Sequence, residues 1–567
     1  MLILLTLLSA CRTADMEPGV PAPNQPPEEQ LAQRFMISAA NPLAVEIGND
    51  ILRRGGNAVD AAVAVQMALT FVEPGESGIG GGGFLLYRAA GGGEPTVYDG
   101  RETAPMAASV DRFMFLGLRM PLWAAIPSGR AVGVPGTVAM LHRAHREHGR
   151  LPWPDLLQPT IDLANTGIEM PLRLQEQISR DRSLRLYGDT RNYFVTQWRE
   201  SERRLRNPEL AETLSMLATQ GPDFFYEGPL AQRIVAAANG RWPWRSDITL
   251  EDLRNYRPEK RQALCGDYRE WTVCGAPPPS SGGIAVLQIL GMLEQFELGA
   301  LEPNSVEAIH LITEASRLAF ADRFRYLGDP DYVTVPTEPL VDALYLADRG
   351  RLIDPERAIA DPKPGQPGVR PEIEEAPDPV DEETAGTSHF SIIDAEGNSV
   401  SMTGSIEAPF GSRIMVGGFL LNNQLTDFTF RAVQNGFEVP NRVEGGKRPR
   451  SSMTPLVVLD GNDEVRLVIG SRGGSRIIGY VVKALIGVLD WQLPVQEAIS
   501  LPNFVYRGKG LELERGTELA NKAAALRDLG HDVRMVNTRS GVHGIERVDG
   551  GWRGGADPRL DGVAVGD

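Results

Sequence analysis

Residues 384–390 read Thr-Ala-Gly-Thr-Ser-His-Phe, and Thr387 stands where a nucleophile could be made. It follows Gly386 and an acidic, proline-rich loop from Pro362 to Glu383. It also opens the alternating run Ser388 to Asp394, which predicts a half-buried strand. Cleavage before Thr387 would give its hydroxyl a free α-amine as neighbour. An α-amine with a pKa of roughly 8 can serve as general base at neutral pH. The plainer reading is a β-forming threonine entering a sheet.

Other short stretches bear on chemistry. Gly470-Ser471-Arg472-Gly473-Gly474-Ser475 lies between an expected strand and an expected helix. Paired glycines there can leave two backbone N–H groups facing a developing oxyanion, or simply make a β-to-α turn. Ser451-Ser452 follows Lys447-Arg448-Pro449-Arg450 and could bind an anion or begin a strand. Gly78 to Gly83 matches G-x-G-x-x-G formally, but it precedes a strand where a dinucleotide site follows one. The run is read instead as letting backbone pack closely near the site. His142, His145 and His148 fan around a helix and read as a solvated face, and no Cys/His cluster suggests zinc. No cofactor is expected.

Several elements must position these groups. Asn41-Pro42 opens a helix ending at Gly55-Gly56, and Asn57 caps a second, buried helix over Ala58 to Phe71. Phe84–Arg88 and Thr96–Asp99 read as strands, and Val134–Gly167 as helix broken by Pro-Trp-Pro. A long helix is expected from Ser305 to Tyr326. Beyond Thr387 the expected strands are Ser388–Asp394, Ser399–Ile406, Phe419–Asn422, Leu456–Leu459 and Val465–Ile469. A helix over Ser475–Leu489 follows, then a strand, a helix and a short terminal strand. This order suggests one layered α/β (α+β) architecture.

Of 567 residues, 42% are hydrophobic and 23% charged, as in soluble globular proteins. A net charge of −17 argues against binding a nucleic-acid backbone. Leu2–Leu8 followed by Ser9-Ala10-Cys11 resembles a signal h-region with a bacterial lipobox, although no Lys or Arg precedes it. The Pro-rich stretch Glu17–Glu29 then reads as a tether. The expectation is a periplasmic lipoprotein anchored through Cys11, touching membrane only through that lipid. Cys265 and Cys274 flank a hairpin-like stretch, as a disulfide or as two buried thiols.

Taken together, the chain from about Pro42 onward resembles the γ-glutamyltransferase family of N-terminal-nucleophile hydrolases. The resemblance rests on Gly55–Ala62, Val72-Glu73-Pro74, Gly78–Phe84, Asp99–Pro105, Val132–Thr137, Pro277–Gly283, Ala319–Arg323, Thr387-Ser388-His389, Leu421–Gln424 and Gly555–Arg559. It implies an αββα sandwich built jointly by a large segment (31–386) and a small one (387–567), with residues 1–30 as signal and tether. It implies autocatalytic cleavage between Gly386 and Thr387, with Thr387 then the catalytic nucleophile and Ser405 orienting it. Gly473 and Gly474 would hold the oxyanion. Arg101, Ser451 and Ser452 would bind the α-carboxylate of a γ-glutamyl group, and Gln424 and Asp427 its α-ammonium. The implied substrates are a small γ-glutamyl donor such as glutathione, with water or an amine as acceptor.

The chain departs from the family in three places. Glu407 stands where Asn is usual near the ammonium, facing it or neutralised by Arg413 or Arg472. Arg472 stands where Pro usually precedes the glycines, and Phe428–Lys447 is a short lid segment. The alternatives are a cephalosporin-acylase-like or poly-γ-glutamate-cleaving amidase of the same family, and a non-catalytic binding lipoprotein.

Overall fold

The computed structural model describes residues 29–185, 187–196, 204–368, 386–434 and 437–567. Cys11, the apolar run before it and most of the tether lie outside the described residues, as do residues 369–385 of the loop before Thr387.

Two seven-stranded antiparallel sheets form the centre. The first runs Val563–Gly566, Met36–Ala39, Gly386–Ile393, Ser399–Glu407, Gly82–Arg88, Thr96–Asp99, Glu259–Gln262. The second runs Gln30–Ala32, Gly551–Ala556, His543–Val548, Val465–Gly470, Leu456–Leu459, Trp271–Gly275, Leu264–Tyr268. Segments on both sides of Thr387 supply strands to each sheet.

Side-chain alternation sorts these strands into layers. Phe390, Ile392, Val400, Met402 and Leu85 join one core with helices Pro42–Arg53, Ala58–Val72, Thr137–His148 and Trp153–Thr166. Phe84, Leu86 and Ile393 join a second core with Val457, Leu467 and helices Gly282–Leu293, Val306–Tyr326 and Ile477–Leu489. The result is the expected layered sandwich, helices outside and sheets inside. No described helix is long and apolar enough to cross a membrane.

Local rules explain the helix starts. Asn41 accepts a hydrogen bond from Leu43 N, and Asn57 forms a capping box with Asp60. Every residue of Ala58–Val72 is buried. The Pro-Trp-Pro break separates two helices as expected.

The strand Gly386–Ile393 differs from its expectation, because both faces are buried. Its polar face meets the second sheet instead of water: a Cβ on Gly470 would fall 2.3 Å from His389 Cε1, and Ser391 Oγ donates to His543 O at 3.0 Å. Phe419–Asn422 shrinks to a two-residue strand, Phe419–Leu420.

The tail is richer than expected. After Leu489 come helix Val495–Ser500, strands Phe504–Tyr506 and Leu511–Glu514, helix Ala523–Asp528 and four further strands ending at Gly566. Glycines hide that signal by supplying close approach in place of β-branched bulk. A Cβ on Gly554 would fall 2.4 Å from Ala564 Cβ. Helices between Leu172 and Asn255, and Gly282–Leu293, were also not expected.

Cys265 and Cys274 face each other in register across a hairpin, with their sulfurs bonded. The three histidines are not a solvated face. His148 stacks on Tyr87 at 4.1 Å, His145 Nε2 lies 2.8 Å from Leu151 O, and His142 meets the Trp153 ring edge-on. They face a neighbouring strand and helix, which a helix considered alone does not reveal.

Candidate active site

Thr387 sits second in its strand. Its Oγ1 lies 2.7 Å from Gly386 O and 3.2 Å from Ser405 Oγ on the adjacent strand. Ser405 Oγ lies 2.7 Å from the same carbonyl oxygen and accepts Glu407 N–H at 2.8 Å. Ser405 accepts that N–H through one lone pair and keeps its single O–H proton for the Gly386 carbonyl, which it can polarise.

The backbone comes unusually close here. A Cβ on Gly386 would fall 2.4 Å from Glu407 O and 2.7 Å from Ala408 C. The glycine run plays the packing role expected of it: a Cβ on Gly81 would lie 2.0 Å from Ser405 O, and one on Gly83 2.4 Å from Thr403 O. Larger residues there would push the strand carrying Ser405 away from Thr387.

One narrow cavity is lined by Thr387, Ser405 and Gly474 together with Arg101, Glu407, Gln424, Asp427, Ser451 and Ser452. Gly473 adjoins it at the start of the turn, with φ 134°, and Gly474 has φ 59°. Both values favour glycine, and the turn leads directly into helix Ile477–Leu489.

Arg101 is fully buried. Its Nε donates to Pro449 O at 3.1 Å and its Nη2 to Arg450 O at 2.9 Å, while Nη2 also meets Asp427 Oδ2 at 2.5 Å. Gln424 Nε2 donates to the same Asp427 oxygen at 2.8 Å. The two residues expected at opposite ends of an amino-acid headgroup are thus paired with each other. Glu407 adopts φ 77°, a left-handed conformation for a non-glycine residue, and Asn423 Nδ2 bonds its carboxylate. The two cations considered as its neutralisers are engaged elsewhere: Arg413 pairs with Asp181 at 2.8 Å and Arg472 with Glu76 at 2.6 Å.

Four residues near the site were missed in the sequence. Arg323, fully buried, donates to Ser452 Oγ and Ser281 Oγ, each at 2.8 Å, and so braces the serine pair. Asn423 holds Glu407. Glu102 lies 3.9 Å from Arg101, and burial pushes its carboxyl up to about 8 against the pull of that guanidinium. Glu76 accepts Thr387 N–H at 3.2 Å, and burial raises it to about 7. Arg323, Asn423 and Glu102 lie inside stretches already singled out, whereas Glu76 follows Pro74-Gly75 with no local signal.

One group could hold a metal among the described residues: His310, Glu314 and His531. Its members already bond one another and the backbone. His310 Nδ1 lies 2.7 Å from His531 Nε2, and Glu314 accepts Ile359 N–H at 2.7 Å. His531 is far from the other two in sequence, so spacing could not reveal the trio.

Two helix-covered antiparallel sheets with a hydroxyl residue opening a central strand define the layered fold of the N-terminal-nucleophile hydrolases. Residues 44–567 match the family model described as Gamma-glutamyltranspeptidase. The chain is 33% identical over 586 residues to the glutathione hydrolase proenzyme of Bacillus subtilis (strain 168), covering 99% of this chain and 98% of the relative. It is 35% identical over 597 residues to the glutathione hydrolase proenzyme of Escherichia coli (strain K12), covering 99% and 97%. Among solved structures, the cephalosporin acylase from Bacillus halodurans matches with a TM-score of 0.83 at 26% identity, over 97% of this chain and 99% of that one. The chain belongs to the γ-glutamyltranspeptidase family.

Proposed function

We propose that the protein is a γ-glutamyl hydrolase and transferase, made as a precursor that cuts itself between Gly386 and Thr387. The observation that carries this is the Thr387 hydroxyl at 2.7 Å from the Gly386 carbonyl oxygen, within a cavity that also holds Arg101 and Asp427. The hydroxyl attacks the Gly386 carbonyl carbon, the peptide C–N bond breaks, and an ester replaces it. Water hydrolyses the ester, leaving a carboxylate on Gly386 and a free α-amine on Thr387.

In turnover that amine takes the hydroxyl proton as Thr387 attacks the γ-amide carbonyl of a donor such as glutathione. Backbone N–H groups at Gly473 and Gly474 receive the oxyanion. The proton passes to the leaving amine, and water or a second amine resolves the γ-glutamyl ester. Arg101 with Ser451 and Ser452 binds the donor α-carboxylate, and Asp427, Gln424 and Glu407 bind its α-ammonium.

The test is a denaturing gel of purified protein, N-terminal sequencing of the small fragment, and chromophore release from a γ-glutamyl anilide. Two fragments, the smaller starting at Thr387, and release abolished in Thr387→Ala are expected. An uncut, inactive wild type would favour a binding lipoprotein instead. A glutaryl-cleaving acylase is the second reading, favoured by the likeness to the Bacillus halodurans cephalosporin acylase.

Export with a lipid on Cys11 belongs to the same proposal. The Cys265–Cys274 bond suits an oxidising compartment. Cys11→Ser should move the protein from the membrane to the soluble fraction.

A further inference from the structure

Glu76 is buried among charges and sits directly against the nucleophile. Its Oε2 accepts Thr387 N–H at 3.2 Å and Arg472 Nη2 at 2.6 Å. Its Oε1 accepts Arg472 Nη1 at 2.8 Å, Arg173 Nη2 at 3.0 Å and Gln177 Nε2 at 2.6 Å. Ile406 N, next to Ser405, donates to the Glu76 carbonyl at 3.2 Å. Arg472 immediately precedes Gly473 and Gly474, so one bidentate ion pair joins the nucleophile's nitrogen to the glycine turn. The other charges facing it are Arg539, whose field lowers the Glu76 carboxyl, and Glu73, whose own carboxyl Glu76 raises. Glu73 is itself pushed up to about 7 by burial, bonds Ser388 at 2.8 Å and feels Asp561.

Resting on the reading of Thr387 as an N-terminal nucleophile, we propose that Glu76 is a positioning residue for the Thr387 α-amine, with Arg472 as the countercharge that keeps that amine available as a base. A carboxylate at this point has two effects. It accepts one N–H and so turns the amine's lone pair toward the residue's own hydroxyl. Left alone it would also stabilise the ammonium form, and a neighbouring opposite charge raises an amine's pKa by about 1–3 units. The bidentate guanidinium removes that penalty and leaves the orientation. Arg173 and Arg539 add positive charge on the same side, which further disfavours an ammonium.

The experiment is the pH dependence of kcat/KM for a γ-glutamyl p-nitroanilide, in wild type, Glu76→Gln, Arg472→Gln and the double variant. The wild-type acid limb should fall at or below about 8, the ordinary α-amine value. Arg472→Gln should move it up by about one unit or more, so activity at acid pH drops about tenfold while the alkaline plateau holds. Glu76→Gln should move it down and lower kcat with KM unchanged, and the double variant should bring the limb back. An active wild type whose limb stays in place in both single variants would overturn the proposal. An inactive wild type, or a small fragment not starting at Thr387, would instead sink the nucleophile reading itself.

If either variant fails to fold or to process, the wild-type amine can be titrated directly by its rate of carbamylation with cyanate. A pKa at or below about 8 supports the pairing, and one above about 9 contradicts it.

Discussion

The ion pair between Arg101 and Asp427 sets a quantitative expectation for donor choice. In the free site these buried groups neutralise each other at 2.5 Å, and Gln424 also bonds Asp427. A γ-glutamyl donor carries an α-carboxylate and an α-ammonium. It can part the pair and give each member a new partner without changing the charge of the site. A glutaryl amide has the same chain and carboxylate but no ammonium. It satisfies Arg101 and leaves Asp427 facing Glu407, a second carboxylate on the same cavity.

Leaving one member of a buried ion pair uncompensated costs about 3–5 kcal/mol. The Gln424 bond survives and some water enters, so the lower half of that range applies. At about 1.4 kcal/mol per tenfold, kcat/KM should favour γ-glutamyl over glutaryl anilide by roughly two to three orders of magnitude. Asp427→Asn removes the stranded charge and should bring the ratio near tenfold, chiefly by weakening the γ-glutamyl donor. Glu407→Gln should narrow it less, because Asn423 already bonds that carboxylate. The assay is chromophore release from the two anilides under identical conditions. Equal or faster release from the glutaryl compound by the wild type would refute the ammonium site and make the acylase reading the better one.

Two further substitutions probe the same cavity. Gly386→Ala places a methyl 2.4 Å from Glu407 O, backbone that cannot yield without parting the two strands. Overpacking of this kind costs about 1–3 kcal/mol, so Tm should fall and uncut precursor accumulate on a gel; normal processing would contradict the tight register. Arg101→Lys loses the donors to Pro449 O and Arg450 O and any fork for a carboxylate. Charge-assisted bonds are worth about 1.5–3 kcal/mol each, so KM for a γ-glutamyl donor should rise about ten- to hundredfold, and an unchanged KM would remove Arg101 from the site.

What could be read in the sequence was local. Asn41 and Asn57 sit beside the helices they cap, and alternation from Ser388 onward gives the strand that carries Thr387. Glycines before Phe84 signalled close backbone approach without naming its partner, which proved to be the strand carrying Ser405. The expected cavity residues gathered where the resemblance implied, although they are scattered from Arg101 to Gly474. What was not legible depends on tertiary pairing. The polar face of the Gly386–Ile393 strand reads as solvent-facing until a second sheet lies on it. In the C-terminal strands Gly554 stands where Met36 and Ala564 leave no room for a side chain, and glycine does not announce a strand. Glu76 and Arg472 are 396 positions apart, and neither carries a mark of the other.

Glu407 and Arg472 are the two charged departures that the resemblance implies, and they bond different partners, Asn423 and Glu76. Glu407 faces the cavity with Asp427, where it can act on the donor's headgroup. Arg472 pairs with Glu76, which also accepts the Thr387 N–H. Their effects should therefore separate. Glu407→Gln should change the γ-glutamyl to glutaryl ratio and leave the acid limb of the pH profile in place. Arg472→Gln should move the limb and leave the ratio within about twofold, the spread of sites that act additively, because Arg472 pairs with Glu76 whereas Asn423 bonds Glu407. A double variant showing both changes in full would place donor recognition and nucleophile activation in independent halves of the site. If the Arg472 variant instead altered donor preference as strongly as the Glu407 variant, the two charges would belong to one network, and the division drawn between Glu76 and Asp427 would fail.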